Sequence, residues 1–180
     1  MCRVSTLNDE AAQILDALEK QDTIVVYADK KPILLTIEKI SRSNPIYAMD
    51  IPNILTKKKY KIDIVTPATR KTSGEYTNRP DLCQYFTSVA NKLKVYEDIL
   101  IENSELEMLF ANIKMSRYNF ESRNYMIGGK NIPAMTGSCD ISINSDSEQV
   151  DKIKLLLGYA TYSGIGAKTS LGMGGFLVQA

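Results

Sequence analysis

Twelve residues near the end of the chain, Gly164-Ile-Gly-Ala-Lys-Thr-Ser-Leu-Gly-Met-Gly-Gly175, constrain it more than any other stretch. They hold five of its ten glycines. Ordering a glycine in regular structure costs roughly 0.5–1 kcal/mol more than ordering alanine. Such density therefore marks a backbone that needs positive φ or that something must approach closely. The stretch follows a helical segment and leads into a short apolar run, Phe176-Leu-Val178. Successive backbone N–H groups in such a turn can form an anion-binding nest, and Lys168, Thr169 and Ser170 add donors suited to phosphate. Two familiar phosphate motifs are excluded. A Walker loop needs glycine directly before its lysine, where Ala167 stands, and a dinucleotide fingerprint fails at Thr169, which takes the place of the third glycine. Both motifs also open a helix, whereas this loop follows one.

At 180 residues the chain suits one ordinary domain or two small ones, and an apolar fraction of 44% is enough for a packed core. The net charge of +1 announces no polyanionic partner, so any nucleic-acid contact must come from local patches. Cys2, Cys83 and Cys139 are odd in number and far apart. They are expected to be core thiols of a cytoplasmic protein, with neither disulfide framework nor metal spacing. There is no transmembrane run and no signal segment. There is also no histidine, so no histidine acid or base is available within these residues.

Along the chain, Arg3–Leu7 reads as a strand, and Asn8-Asp9-Glu10 caps a helix from about Asp9 to Lys20. Thr23–Tyr27 and Ile33–Ile40 read as strands around a turn at Asp29-Lys-Lys-Pro32. Ser41 to Lys59 is polar, contains two prolines and reads as a linker. Lys57, Lys58, Lys59 and Lys61 form the densest basic cluster, either an RNA-backbone contact or a solvated segment. Tyr60–Val65 alternates as a strand. Thr66–Tyr76 is expected to be a hydroxyl-rich loop carrying Arg70 and Lys71. Pro80-Asp81 opens a helix whose stripe of Leu82, Tyr85, Phe86, Val89, Leu93 and Tyr96 is expected to be core rather than a stacking platform. Glu107–Tyr118 reads as a strand, and Gly128-Gly129 as the turn of a hairpin. Gly137 is expected to break the second arm before Asp140–Ile143. Ser145-Asp-Ser-Glu148 is a capping box. It opens a helix that ends near Tyr162, with Gly164 as its C′ residue.

The spacing G-x-G-x5-G-x-G at Gly164, Gly166, Gly172 and Gly174 resembles the C-terminal signature of the CRISPR RAMP superfamily. With Ala160-Thr-Tyr-Ser163 and the Gly-Ile-Gly-Ala-Lys-Thr-Ser run, it resembles more narrowly the repeat-processing Cas endoribonucleases. Val65-Thr-Pro-Ala-Thr69 through Arg79-Pro-Asp-Leu82 is similar to the start of that family's second domain. From Tyr60 onward the expected order completes a ferredoxin-like (RRM-like) β-α-β-β-α-β unit, an α+β fold. The expected organisation is a partial ferredoxin-like unit at 1–41, a linker at 42–59 and a complete RAMP domain at 60–180.

In the family, as the resemblance implies, a 2′-hydroxyl attacks the adjacent phosphate of CRISPR repeat RNA without metal and leaves a 2′,3′-cyclic end. The catalytic histidine commonly lies on a first helix that has no counterpart here. The expected partner is therefore repeat RNA, held by Gly164, Gly166, Lys168, Thr169, Ser170, Gly172, Gly174, Arg70, Lys71, Lys57, Lys58 and Lys59. Cleavage is expected to be weak or absent, with Lys168 and a tyrosine such as Tyr162 as weak candidates to stand in for the histidine. No metal, cofactor, DNA or membrane is implied. Two other readings stay open: a Cas-subunit mimic that inhibits CRISPR by competing for repeat RNA or for Cas effector subunits, and an active endoribonuclease completed by a partner chain. The split β-α-β at the N-terminus is expected either to close Arg3–Leu7 and Thr23–Tyr27 into a parallel pair or to be filled by a second chain, a homodimer included.

Overall fold

A computed structural model describes residues 3–28, 31–145 and 147–179, so Cys2, Asp29 and Lys30 of the expectations above lie outside the described residues. The chain divides into two compact units, Met1–Ile46 and Tyr47–Ala180.

In the first unit Asn8 caps helix α1 (Asp9–Glu19), its Oδ1 accepting the Ala11 N–H at 2.8 Å. Asp9 and Glu10 then favour the positive end of the helix. Strands β1 (Thr23–Ala28) and β2 (Lys31–Thr36) form an antiparallel hairpin from Thr23↔Thr36 to Ala28↔Lys31. The expected strand at Arg3–Leu7 does not form, and neither does its parallel pair with β1. A strand persists through its ladder, and residues 3–7 join no strand ladder among the described residues. The second strand stops at Thr36 rather than Ile40, with one further bond in the same register, from the Ile37 N–H to the Asp22 carbonyl at 2.8 Å. Among the described residues this unit has no core of its own: α1 buries no residue and β2 is exposed along its length.

The second unit opens inside the expected linker. A 3₁₀ turn, Ala48–Asp50, runs into helix α2 (Ile51–Ile54), and Ala48 and Ile51 are buried. Strand β3 (Lys59–Ala68) buries Tyr60, Ile62 and Ile64 on alternate positions. The expected hydroxyl-rich loop is a hairpin of β4 (Arg70–Thr72) and β5 (Glu75–Thr77), turned by Ser73 and Gly74 at φ of 49° and 89°. Helix α3 (Leu82–Glu97) is capped by Asp81, which accepts the Gln84 N–H. The expected stripe is buried, except that Tyr96 is exposed.

Residues 107–111, expected in a strand, belong instead to helix α4 (Asn103–Ala111), which buries Leu106 and Leu109 at helical spacing. Strand β6 (Ile113–Ile127) is one continuous strand, and so is β7 (Lys130–Ile143). Gly137 does not break β7. It pairs with Phe120 of β6, beyond a bulge at 117–118, so close that a side chain there would strike the Asn119 carbonyl. Helix α5 (Ser147–Ser163) and strand β8 (Phe176–Gln179) complete the unit. Asp146 of the expected capping box is not described, and the Ser145 hydroxyl bonds the Gln149 side chain rather than the backbone.

The sheet is antiparallel throughout, in the order β6-β7-β3-β8. Helix α3 leads from β3 to β6 and α5 from β7 to β8, so each connection passes over the strand lying between its ends. The core between helices and sheet includes Phe86, 4.9 Å from Phe110 and 5.4 Å from Phe176, with Ile62, Leu93, Ile153 and Leu156 buried around it. Each such side chain contributes about 1.5–3 kcal/mol by leaving water. Cys139 is buried as expected, whereas Cys83 is half-buried. Among the described residues no helix is long and apolar enough to cross a membrane.

Candidate nucleic-acid interface

The glycine-rich stretch is a loop with a narrow neck and an exposed apex. Gly164 ends α5 at φ 68°, its N–H reaching the Ala160 carbonyl at 2.9 Å. The neck closes where the Ile165 N–H donates to the Gly174 carbonyl at 2.9 Å. Three further bonds moor it: Gly166 N–H to Tyr85 O at 3.0 Å, Ala167 N–H to Thr69 O at 2.7 Å, and Gly174 N–H to Pro67 O at 2.9 Å. Thr66 adds a double tie, its hydroxyl donating to the Gly172 carbonyl at 2.8 Å and accepting the Gly175 N–H at 2.7 Å.

These bonds revise the role expected of the glycines. A Cβ on Gly166 would lie 2.2 Å from the Thr69 carbonyl oxygen, and one on Gly174 would lie 1.9 Å from that of Ile165. The close approach is by the protein's own backbone, and the neck N–H groups donate inward rather than forming an outward nest. What faces solvent is the apex, where Lys168, Ser170, Leu171 and Gly172 are exposed. Lys168 holds left-handed backbone at φ 63° and precedes a 3₁₀ turn, Thr169–Leu171. A non-glycine residue in that region costs about 1–2 kcal/mol, which the moored neck sustains.

Beneath the apex lies Lys92, which the sequence reading missed. It projects from α3, and its Nζ donates to the Ser163 carbonyl at 2.5 Å, the Thr169 hydroxyl at 2.9 Å and the Gly164 carbonyl at 3.3 Å. Burial pushes its pKa down to about 8. The signal was present in the spacing: Lys92 stands seven residues after Tyr85 and three after Val89, within the buried stripe.

Of the other expected residues, Arg70 and Lys71 follow directly on Thr69, which takes the Ala167 bond, so they flank the loop. The Arg70 guanidinium donates to Gln84 Oε1 and to the Thr72 hydroxyl, both at 3.2 Å, while its buried Nε has no partner among the described residues. The Lys71 ammonium stands 5.8 Å from the centre of the Tyr76 ring. The Lys57–Lys59 cluster is not brought to the loop. It lies at the start of β3, and at ~3.3 Å per residue the far end of that strand is roughly 25–30 Å away. There Lys58 bonds the Ser145 carbonyl at 3.2 Å and the Tyr60 hydroxyl bonds that of Lys57. Tyr162 is half-buried in the last turn of α5.

Residues 62–176, which contain every part of this site except the distant lysine cluster, match the model of the CRISPR-associated endoribonuclease Cas6 family. The chain is 30% identical over 123 residues to a CRISPR-associated endoribonuclease Cas6 of Mycobacterium tuberculosis, covering 68% of this chain and 39% of that protein. It is 30% identical over 122 residues to one of Streptococcus thermophilus, covering 67% of this chain and 50% of that protein. It therefore spans half or less of the length of these relatives. Among solved structures, a Cas6 product complex superposes with a TM-score of 0.76 at 15% identity, over 94% of this chain and 72% of that one. Thermus thermophilus Cas6 superposes with a TM-score of 0.60 at 22% identity, over 73% and 57% of the two chains. Family model, relatives and fold agree, and the chain belongs to the CRISPR-associated endoribonuclease Cas6 family.

Proposed function

We propose that this chain binds CRISPR repeat RNA, holding the phosphate backbone at the apex of the glycine loop, and that it cleaves the RNA weakly or not at all without another protein. The sheet order β6-β7-β3-β8 with its two crossing helices supports reading residues 60–180 as a ferredoxin-like domain. On that reading residues 1–41 are a partial second unit.

The observation that carries the proposal is the apex itself. Lys168 and the hydroxyls of Thr169 and Ser170 are presented on a strained turn whose neck is fixed by bonds to β3 and α3. Fixed donors around a cation suit a phosphate diester, because no ordering cost falls on them at binding. Arg70 and Lys71 extend the positive surface beside the loop. The Lys57–Lys59 cluster contributes at most a separate, distant contact.

The catalytic half of the proposal rests on chemistry. Attack by a 2′-hydroxyl needs a base and an acid that exchange protons near neutral pH, and a positioned one is worth ~10²–10⁴ in rate. These 180 residues contain no histidine. Lys168 and Tyr162 remain the candidates to stand in for it.

The test is a gel-shift and cleavage assay on labelled CRISPR repeat RNAs, with Lys168→Ala and Gly172→Asp alongside. Gly172 is the right place for the charge reversal, because a side chain there meets nothing and aspartate tolerates left-handed backbone. Each variant is expected to weaken binding about tenfold or more, as for loss of a charged hydrogen bond. Binding that persists in both variants excludes the apex. Metal-independent cleavage with cyclic phosphate ends by the chain alone overturns the catalytic half.

A further inference from the structure

We propose that Lys92 is the positioning residue of the glycine loop, setting from below the direction in which the Thr169 hydroxyl offers its proton to an RNA phosphate. The inference deepens the phosphate-binding reading and rests on it.

The geometry is specific. A lysine ammonium has three donors and no acceptor. Here it meets three oxygens: two carbonyls from the end of α5 and the Thr169 Oγ1. Each donor has one partner, so the ammonium has no donor left for RNA. Its effect must pass through Thr169. A threonine hydroxyl that accepts from a cation on one side has its own O–H directed elsewhere. The methyl group of Thr169 also lies against Gly164, where a Cβ would be 3.0 Å away. With methyl and oxygen both turned to the protein, the hydroxyl proton is what remains for a ligand at the apex.

Among the described residues Lys92 makes no ion pair. Burial is the cause of its lowered pKa, and no carboxylate contributes to it. The titratable and charged groups on the elements around it are Cys83, Tyr85, Lys94, Tyr96 and Glu97 of α3, Glu148, Asp151, Lys152, Lys154, Tyr159 and Tyr162 of α5, and Lys168 of the loop. Tyr159 is engaged with Glu97 at 3.2 Å. A phosphate arriving above the loop favours the charged form of Lys92, so binding takes up a proton when the pH exceeds about 8.

The test uses the full chain with labelled CRISPR repeat RNA and the variants Lys92→Met, Lys92→Arg and Thr169→Val. Affinity is followed from pH 7 to 9.5, and hydrogen exchange of the amides at 164–175 is measured without RNA. The wild type is expected to lose affinity above pH 8. Lys92→Arg keeps its charge throughout and is expected to bind with no such loss. Lys92→Met and Thr169→Val are each expected to weaken binding about tenfold, and the double variant no further. Because Lys92 does not touch RNA, Lys92→Met keeps the wild-type salt dependence, while Lys168→Ala flattens it by about one phosphate contact.

Faster exchange at 164–175 in Lys92→Met, with β3 and β7 still protected, supports the positioning role even if the wild type binds no RNA. That combination sinks the phosphate reading alone. Unchanged exchange and unchanged affinity in Lys92→Met overturn the proposal. So does wild-type affinity in Thr169→Val, which stands as the test should Lys92→Met fail to fold.

Discussion

A methyl group at Gly174 would stand 1.9 Å from the Ile165 carbonyl oxygen, whereas one at Gly172 would have nothing within 4 Å. Gly174→Ala must therefore open the neck and is expected to destabilise by about 3 kcal/mol or more, in the range of severe backbone misfits. Gly172→Ala carries only the strain of left-handed backbone, roughly 1–2 kcal/mol. Urea unfolding of the two variants separates them. Lys92 gives a second expectation. Between about pH 8, its folded value, and 10.5, its ordinary one, the unfolded chain binds more protons than the folded one. Its contribution to stability therefore rises with pH across that window. Thermal melts at pH 7.5 and 9.5 should show the wild type gaining on Lys92→Met, the opposite direction to the loss of RNA affinity. The sequence told the five glycines of the loop apart only in part. Their spacing marked a built loop and its family, but which of them face carbonyls is decided by the folded neck, where Gly166 meets Thr69, about a hundred residues away, and Gly174 meets Ile165 across the loop. Lys92 was within reach, since a lysine on an apolar helical stripe needs acceptors.

Helix α5 meets α2 at Gly158, where a Cβ would come within 2.2 Å of the Ile51 Cγ2. Gly158→Ala is expected to cost about 1–3 kcal/mol by overpacking. Ile51→Ala removes the obstructing methyl, so the double variant should be less unstable than the sum of the two. The coupling expected is about 0.5–3 kcal/mol, read from a double-mutant cycle in urea. Elements announced by local chemistry were legible. Asn8 and Asp81 cap their helices, Gly164 ends α5, and Gly128-Gly129 turn the long hairpin at φ of 55° and 78°. Elements decided by neighbours were not. Residues 107–111 carry apolar side chains that suit a strand face or a helix stripe, and packing of Leu106 and Leu109 chose the helix. Residues 48–54 read as linker because the stretch around them carries two prolines and no clear period, and the burial of Ile51 depends on a glycine in α5.

Across the whole molecule, every buried apolar side chain among the described residues lies between Ala48 and Phe176. The unit at 1–46 buries none of its own helix or second strand. An isolated two-stranded hairpin is marginal in water. Hydrogen exchange on the intact chain should thus find β1 and β2 exchanging within seconds to minutes while β3 and β7 are protected to near the global unfolding free energy. Residues 47–180 expressed alone should melt within a few degrees of the whole chain. The order of the second unit was legible because helices and strands alternate clearly after Tyr60. In the first unit the helix and the hairpin were legible, but the strand expected at Arg3–Leu7 was not, because it has strand-like residues and no ladder to join. The mooring of the loop has a consequence for synthesis. Its neck ties Val65, Thr66 and Pro67 to Gly174 and Gly175, partners more than a hundred residues apart. Domains take shape as the ribosome delivers them, at ~5–20 residues per second. When β3 emerges, its partners for this purpose have not been made. An interrupted chain that stops short of them has no neck, and so presents no apex to sequester a ligand: only a chain extended past Gly175 has the site.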